Sequence, residues 1–145
     1  MTRVLFVCLG NICRSPAAEG VVRSRLPDLG LDSAGTGGWH VGAPPYGPMQ
    51  AAARARGHDL SDLRARQFDP SDFEAFELIF AMDAANLRDI EAQRPPGNAT
   101  RVENFAELAG AAEVPDPYYT RDFEGCLDLI EACAEALSRR FAVPR

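Results

Sequence analysis

The sequence predicts an α/β fold in which helices cover both faces of a mostly parallel, open sheet of about four strands. Residues 4–8 and 78–82 are continuous apolar runs, a pattern typical of strands that are buried on both faces of a parallel sheet. Segments with helical signals follow both runs, and strands that alternate with helices indicate a parallel sheet. The 145 residues, of which 46% are hydrophobic, fit a single domain spanning residues 1–145 with a core of its own.

The first half of the chain opens with the strand at residues 4–8, which leads into a helix start at Ser15 and Pro16. Serine is a common N-cap and proline is common at the first helical position, so we expect Ser15 to cap a helix that ends near Arg25. The further elements expected in this half are a short strand at residues 31–34, a loop rich in glycine and proline at 35–48, and a helix at 49–56 that stops at Gly57.

The second half of the chain contains the apolar strand at residues 78–82 and the longest helical pattern. That pattern places apolar side chains at helical spacing, at Phe123, Leu127, Ile130, Ala134 and Leu137. We expect a loop at residues 114–121, because its prolines and paired tyrosines disfavour a helix. The other expected elements are a helix at 83–93, a short strand at 101–105 and the final helix at 122–141.

Composition and charge exclude several classes of protein. The formal net charge of −6 argues against a general nucleic-acid binder, which is usually basic. No apolar stretch approaches the length of a membrane span, and the short first run does not resemble a secretory signal. We therefore expect a cytoplasmic protein without a membrane span, whose four cysteines are free thiols. Cys126 and Cys133 are interpreted as small core residues on one helix face.

The segment between the first strand and the first helix is suited to binding an anion. Gly10 and Asn11 accept backbone angles that few other residues adopt, so their loop can direct several N–H groups to one side. The helix start adds its positive dipole end and its unpaired N–H groups. Arg14 can hold two oxygens of a tetrahedral anion. The sequence therefore predicts a phosphate, sulfate or arsenate site just beyond the first strand, where parallel sheets bind ligands.

Cys8 ends the first strand and is expected at the base of this site. Donors that hold a phosphate also stabilise a thiolate, and a thiolate beside phosphorus is a nucleophile. Cys133 and Arg139 repeat the same cysteine-to-arginine spacing, but they lie inside a predicted helix without a glycine turn, so we interpret them as a chance match. We expect no metal and no cofactor, because His40 and His58 lie on different segments and no cluster of metal ligands is present.

The segment VCLGNICRSP, residues 7–16, resembles the signature of the low-molecular-weight protein tyrosine phosphatase family. Other segments resemble the family in the same order: SAGTGGWHVG at 33–42, RARQF at 64–68, AMDAANLRDI at 81–90 and VPDPYY at 114–119. The resemblance implies a hydrolase that acts on a tyrosine-phosphorylated protein or an aryl phosphate. The reaction would proceed through a phosphocysteine intermediate.

The resemblance also implies roles for individual residues. Cys8 would be the nucleophile, Arg14 the phosphate-binding arginine and Asp116 the general acid and base. Asn11 and Ser15 would hold the loop and the thiolate by hydrogen bonds. Cys13 would form a reversible, protective disulfide with Cys8. The implied phosphate-binding loop consists of Leu9, Gly10, Asn11, Ile12, Cys13, Arg14 and Ser15, and the implied walls of the substrate cleft are Trp39, Tyr118 and Tyr119.

Two other activities on the same fold and one inactive function remain as alternatives. An arsenate reductase would need further cysteines near the site, but residues 80–90 contain none and Cys126 and Cys133 lie in the last predicted helix. Phosphoarginine phosphatases resemble this loop but carry threonine where this chain has Ile12, which favours tyrosine. An intact nucleophile, arginine and acid argue against a catalytically silent phosphate-binding module.

The chain departs from the family pattern in two loops. Many members carry Asp-Pro-Arg where this chain has Tyr46, Gly47 and Pro48, so the resemblance does not predict the conformation of the loop that follows Trp39. The loop after Tyr119 is also shorter than in some relatives.

Overall fold

A computed structural model describes residues 2–141. The expected domain of residues 1–145 therefore includes Met1 and residues 142–145, which lie outside the described part. Four parallel strands form one sheet in the order β2–β1–β3–β4. The strands are β1 (Arg3–Cys8), β2 (Gly30–Gly35), β3 (Leu78–Ala81) and β4 (Arg101–Asn104). The predicted α/β class is confirmed, and every strand pairing in the sheet is parallel.

The strand order reverses at β1. Val4 of β1 lies opposite Leu31 of β2 on one side and opposite Leu78 of β3 on the other. The chain thus turns to one edge of the sheet after β1 and later crosses to the opposite side. Such a reversal leaves a crevice beyond the carboxyl end of the central strand. Cys8 is the last residue of β1, so the crevice opens directly above it.

Helices pack on both faces of the sheet, as predicted. The helices are α1 (Arg14–Arg25), α2 (Gly47–Arg54), α3 (Asp72–Ala75), α4 (Ala84–Glu91), α5 (Pro117–Thr120) and α6 (Phe123–Phe141), and a 3₁₀ turn spans Phe105–Ala109. Val4 and Phe6 pack in one core cluster with residues of α1 and α6. Leu5 and Val7 pack in the other with residues of α3 and α4. Successive strand side chains point to opposite faces, so a continuous apolar run buries both sides of β1.

The start of α1 differs from the prediction. Cys13 occupies the N-cap position and makes no side-chain cap hydrogen bond. The predicted N-cap at Ser15 is therefore wrong, because Ser15 lies within the first helical turn and its hydroxyl contacts Cys8 Sγ at 3.0 Å. Pro16 is tolerated in this turn because the first N–H groups of a helix have no intrahelical partner. The serine side chain thus contributes to the loop rather than to the helix end.

The segment expected to be a loop at residues 114–121 contains the single helical turn α5. Asp116 is its N-cap and accepts a hydrogen bond from the Tyr118 N–H at 3.0 Å. Pro117 occupies the first helical position, where its missing N–H costs nothing. The prediction of a loop throughout residues 114–121 is therefore wrong, because Pro117 is compatible with the first position of a helical turn. Helix α3 and the 3₁₀ turn were also missed, since single turns are too short to show a period.

Helix α2 begins two residues before its predicted start and ends two residues before its predicted end. Gly57 adopts φ +89°, and the left-handed conformation of this glycine stops the chain from continuing as a helix. Within residues 2–141, no helix combines the length and the apolar character that crossing a bilayer requires.

Candidate active site

The residues between β1 and α1 curl around the sulfur of Cys8. Asn11 adopts φ 57°, in the left-handed region that asparagine tolerates better than most residues. This conformation turns the Asn11 N–H toward Cys8 Sγ, at 3.3 Å. The Ser15 hydroxyl meets the same sulfur at 3.0 Å. The loop therefore directs two hydrogen-bonding groups at the sulfur.

The side chain of Asn11 fastens the loop to two neighbouring segments. Its amide N–H groups donate to Ser15 Oγ at 2.8 Å and to Ser33 Oγ of β2 at 3.0 Å. Its carbonyl oxygen accepts a hydrogen bond from the Arg66 N–H at 3.0 Å. Asn11 is buried, and each buried polar group left unpaired costs about 1–3 kcal/mol. The shape of the loop thus depends on this one amide.

The hydrogen-bond network continues to a buried carboxylate that the sequence analysis did not single out. Ser33 Oγ donates to Glu19 Oε1 at 2.7 Å, and Arg23 Nη2 donates to Glu19 Oε2 at 2.6 Å. Burial raises the pKa of Glu19, although Ser33 and Arg23 act in the opposite direction. The sequence does carry a signal for this buried carboxylate: Glu19 stands among the small and apolar residues of the first helix. A charged side chain that is buried there needs polar partners.

Arg14 presents a fixed cation beside the cysteine. Its Nη1 donates to Asp83 Oδ2 at 2.7 Å and to the Val114 carbonyl at 3.0 Å, and its Nη2 lies 3.5 Å from Asp116 Oδ2. Burial disfavours the charged guanidinium, but Cys8, Asp83 and Asp116 outweigh this effect and raise the pKa of Arg14 above its ordinary value. The arginine therefore stays charged at any pH at which the protein works.

Asp83 links β3 to this arginine. One carboxylate oxygen binds Arg14, and the other accepts a hydrogen bond from the Asn86 N–H at 2.8 Å and caps α4. From the sequence, Asp83 is predicted only as the start of a helix. Its position directly after the second apolar run indicates that it lies near the candidate site, because the carboxyl ends of neighbouring parallel strands lie at the same edge of the sheet.

A cavity of about 290 Å³ opens above Cys8 and Arg14. Asp116 and the three aromatic residues predicted for the cleft line it, together with His40 and most of the loop predicted to bind phosphate. Trp39 and Tyr119 are each 73% exposed and form its rim, so Trp39 is not a core residue. The sequence analysis assigned no role to His40, but its ring lies against Gly10, so close that a Cβ at Gly10 would be 3.0 Å from it. Asn11 and Ser15 support the loop from behind and do not line the cavity.

All four cysteines are free thiols. Burial and the neighbouring Cys8 raise the pKa of Cys13, which also lines the cavity. Burial raises the pKa of Cys126 to about 12 and that of Cys133 to about 11. Both thiols of α6 belong to the apolar core, so the second cysteine–arginine pair provides no anion site. In the part of the chain that the structure describes, no group of three or more histidine, cysteine, aspartate or glutamate side chains could hold a metal ion.

Comparison with known proteins identifies a family over nearly the whole chain. The family model described as "Low molecular weight phosphotyrosine protein phosphatase" matches residues 3–143. The chain is 42% identical to the low molecular weight protein-tyrosine-phosphatase YfkJ of Bacillus subtilis, over 94% of each protein. Among solved structures it is similar to a protein tyrosine phosphatase from Entamoeba histolytica with Hepes in the active site, with a TM-score of 0.91, 34% identity and 97% of each chain covered.

A more distant structure carries a phosphonate ligand. Wzb of Vibrio vulnificus, in complex with benzylphosphonate, has a TM-score of 0.89 and 25% identity to this chain, with 96% of this chain and 98% of that chain covered.

Proposed function

Because the chain belongs to the low molecular weight phosphotyrosine protein phosphatase family and is therefore a protein-tyrosine phosphatase, we propose that Cys8 is its nucleophile. Arg14 then binds the phosphoryl group, and Asp116 is the general acid and base. One observation carries this proposal: all three side chains line the same cavity. Cys8 Sγ also faces hydrogen-bonding groups of Asn11 and Ser15.

The first step transfers the phosphoryl group to the enzyme. The Cys8 thiolate attacks phosphorus in line, and the bond from phosphorus to the phenolic oxygen breaks. Arg14 and the loop N–H groups bind the three non-bridging oxygens, where the charge is concentrated. Asp116 donates its proton to the departing oxygen. The products are a phosphocysteine and a neutral phenol.

The second step releases phosphate. Asp116, now a carboxylate, takes a proton from a water molecule as that water attacks the phosphorus of the phosphocysteine. The sulfur–phosphorus bond breaks, which regenerates the thiolate and gives inorganic phosphate. A positioned acid–base group typically contributes about 10²–10⁴ in rate.

The shape of the cavity supports phosphotyrosine as the substrate. Cys8 is only 3% exposed, so a phosphoryl group must enter below the rim formed by Trp39 and Tyr119. A phosphotyrosine side chain is long and flat, whereas phosphoserine would have to draw its own backbone into the cleft. The benzylphosphonate complex of the Vibrio vulnificus relative supports a ligand in which a ring precedes the phosphorus. An aromatic substrate ring can also pack on Tyr118, Tyr119 or Trp39.

A substrate panel tests this proposal. We expect kcat/KM for a phosphotyrosine peptide to exceed that for a matched phosphoserine peptide by about 100-fold, since each good ring contact contributes up to about tenfold. Phosphoarginine peptide and arsenate, the latter with a thiol reductant, complete the panel and are expected to react poorly. Comparable kcat/KM values for the phosphotyrosine and phosphoserine peptides would refute the assignment, as would preferential use of phosphoarginine or arsenate.

We also propose that Cys13 protects Cys8 against oxidation. Peroxide would convert the Cys8 thiolate to a sulfenic acid, with which the Cys13 thiol condenses to give a disulfide and water. We expect mild peroxide to inactivate the enzyme reversibly and mass spectrometry to detect a Cys8–Cys13 disulfide. A thiol reductant should restore activity, and recovery should be poorer in Cys13→Ser but unchanged in Cys133→Ser. Inactivation without this disulfide would contradict the proposal.

A further inference from the structure

We propose that Tyr46 is a positioning residue that holds the turn carrying Asp116 against the phosphate-binding loop. This inference rests on the proposed role of Asp116 as the general acid. Tyr46 stands where many members of the family carry the aspartate of an Asp-Pro-Arg triplet, so the family pattern does not predict its contacts. In the structure, Tyr46 contacts both the phosphate-binding loop, through Ile12, and the turn that carries Asp116, through Tyr118.

The backbone of Tyr46 is fixed to the phosphate-binding loop. Its N–H donates to the carbonyl oxygen of Ile12 at 2.8 Å. Its own carbonyl oxygen accepts a hydrogen bond from the Gln50 N–H at 2.9 Å, and Tyr46 is the N-cap residue of α2. The backbone of Tyr46 is thus held between the loop and a helix, which fixes the point from which its side chain extends.

The ring of Tyr46 packs on the turn that carries the acid. Its centroid lies 5.2 Å from that of Tyr118 and 6.1 Å from that of Phe123, distances at which aromatic pairs are favourable. The N–H of Tyr118 donates to Asp116 Oδ1 at 3.0 Å, whereas the other carboxylate oxygen faces Arg14. Tyr46 therefore supports the residue whose backbone orients the acid.

Arg121 contacts the same three aromatic residues, Tyr46, Tyr118 and Phe123. Its Nη1 donates to the hydroxyl oxygen of Tyr46 at 3.0 Å and to the carbonyl oxygen of Tyr118 at 3.4 Å. Its guanidinium carbon lies 5.3 Å from the ring centroids of both Tyr46 and Phe123. Arg121 has φ 62°, a left-handed conformation that costs energy in a residue other than glycine and persists only when its surroundings enforce it. The contacts with Tyr46 provide part of that enforcement.

Helix α5 needs such external support because it is a single turn of four residues, and one turn has almost no stability of its own. Proton transfer requires the acid within about 2.6–3.2 Å of the leaving oxygen, and a misplacement of about 1 Å can cost about 10²-fold in rate. Loss of the Tyr46 ring would let the turn tilt and carry Asp116 away from this position. Arg14 and the loop N–H groups, which bind phosphate, do not depend on that ring.

Steady-state kinetics on aryl phosphates with leaving phenols of graded acidity test the inference. We expect Tyr46→Ala to lower kcat/KM by about tenfold for the poorest leaving group, with a loss that shrinks as the phenol becomes more acidic. The dissociation constant of inorganic phosphate should stay essentially unchanged. Tyr46→Phe keeps the ring and loses only the hydroxyl bonded to Arg121, so it should retain most of the activity.

Phe76 provides a matched control at the opposite end of the sheet. It is a buried aromatic residue before β3, and the guanidinium of Arg3 lies 4.5 Å from its ring centroid. Phe76→Leu is expected to lower the thermal midpoint without changing the dependence on the leaving group. If Tyr46→Ala lowers kcat/KM equally for all phenols, or weakens phosphate binding to the same extent, Tyr46 is a structural residue and the inference is wrong.

A double-mutant cycle separates this inference from the proposed function. If Tyr46 acts through Asp116, Tyr46→Ala should add no further loss for poor leaving groups in an Asp116→Asn background. If the loss of kcat/KM caused by Asp116→Asn is the same for all leaving groups, Asp116 is not the general acid. If the loss in Asp116→Asn is larger for poor leaving groups, Asp116 is the acid. If, in addition, the losses of kcat/KM from Asp116→Asn and Tyr46→Ala add in the double variant, positioning of the acid by Tyr46 is refuted.

Discussion

Cys8→Ser is expected to lower kcat by at least about 10⁴-fold on any aryl phosphate, because a serine hydroxyl without an adjacent base is a far weaker nucleophile than a thiolate. The hydrogen-bonding groups of Asn11 and Ser15 remain in place in this variant, as does the guanidinium of Arg14. Inorganic phosphate should therefore still bind, which isothermal titration calorimetry measures directly. Binding without turnover separates the nucleophile from the anion site.

Cys133→Ser is the matched control. Cys133 has the same spacing to an arginine, but that arginine, Arg139, binds Glu135 at 3.0 Å on the surface of α6. Activity per folded molecule should be nearly unchanged, although the buried serine will lower stability. Loss of activity in folded Cys133→Ser, or full activity in Cys8→Ser, would show that the nucleophile has been assigned to the wrong cysteine.

Asp116→Asn is expected to lower kcat/KM by about 10²–10⁴-fold for substrates with poorly acidic phenols, which need a proton as they depart. For a strongly acidic phenol the loss should be much smaller. Asparagine can still accept the Tyr118 N–H as an N-cap, so the variant removes the acid and leaves α5 capped. A series of aryl phosphates gives the slope of log kcat/KM against phenol acidity.

An equal loss across that series would indicate that Asp116 is a structural residue whose carboxylate only caps α5. A steeper slope for Asp116→Asn than for the wild-type enzyme would support the proton-transfer role. The thermal midpoint of Asp116→Asn shows whether the N-cap of α5 is retained. A lost cap typically costs about 1 kcal/mol of stability and would lower the midpoint.

The two central strands, β1 and β3, and the loop that follows β1 could be predicted from the sequence because their signals are local. A run such as residues 4–8 buries both faces of a strand, and a parallel sheet covered by helices offers that environment. Gly10 and Asn11 supply the backbone conformations for an anion-binding loop directly after it. These two local signals predict the position of the candidate site without any long-range contact.

The contacts that hold Arg14 could not be predicted, because they join residues that are far apart in the chain. Asp83 and Val114 meet Arg14 only because β3 pairs with β1 and the following segments return to the same edge. For Ser15 the two kinds of reasoning differ: local rules favour a helix cap, whereas the family resemblance implies a hydrogen bond to the Cys8 sulfur. In the structure the Ser15 hydroxyl lies 3.0 Å from that sulfur.

The segment from Tyr46 to Pro48 shows the limit of a resemblance. Where the chain departs from the family pattern, the pattern has no information about the substitute residues, and only the structure reveals that Tyr46 packs on Tyr118. The turn α5 was missed for a related reason. Its stability comes from the Asp116 cap and from packing by other segments, neither of which leaves a periodic signal in four residues.

Trapping of the covalent intermediate tests most directly whether Cys8 carries the phosphoryl group. Asp116→Asn, mixed with an aryl phosphate whose phenol is strongly acidic, should form the phosphoenzyme readily and hydrolyse it slowly, because the second step lacks its base. Rapid denaturation followed by peptide mass spectrometry should then show one phosphoryl group on Cys8. Phosphate on any other residue, or phenol release without a phosphoenzyme under these conditions, would contradict the mechanism.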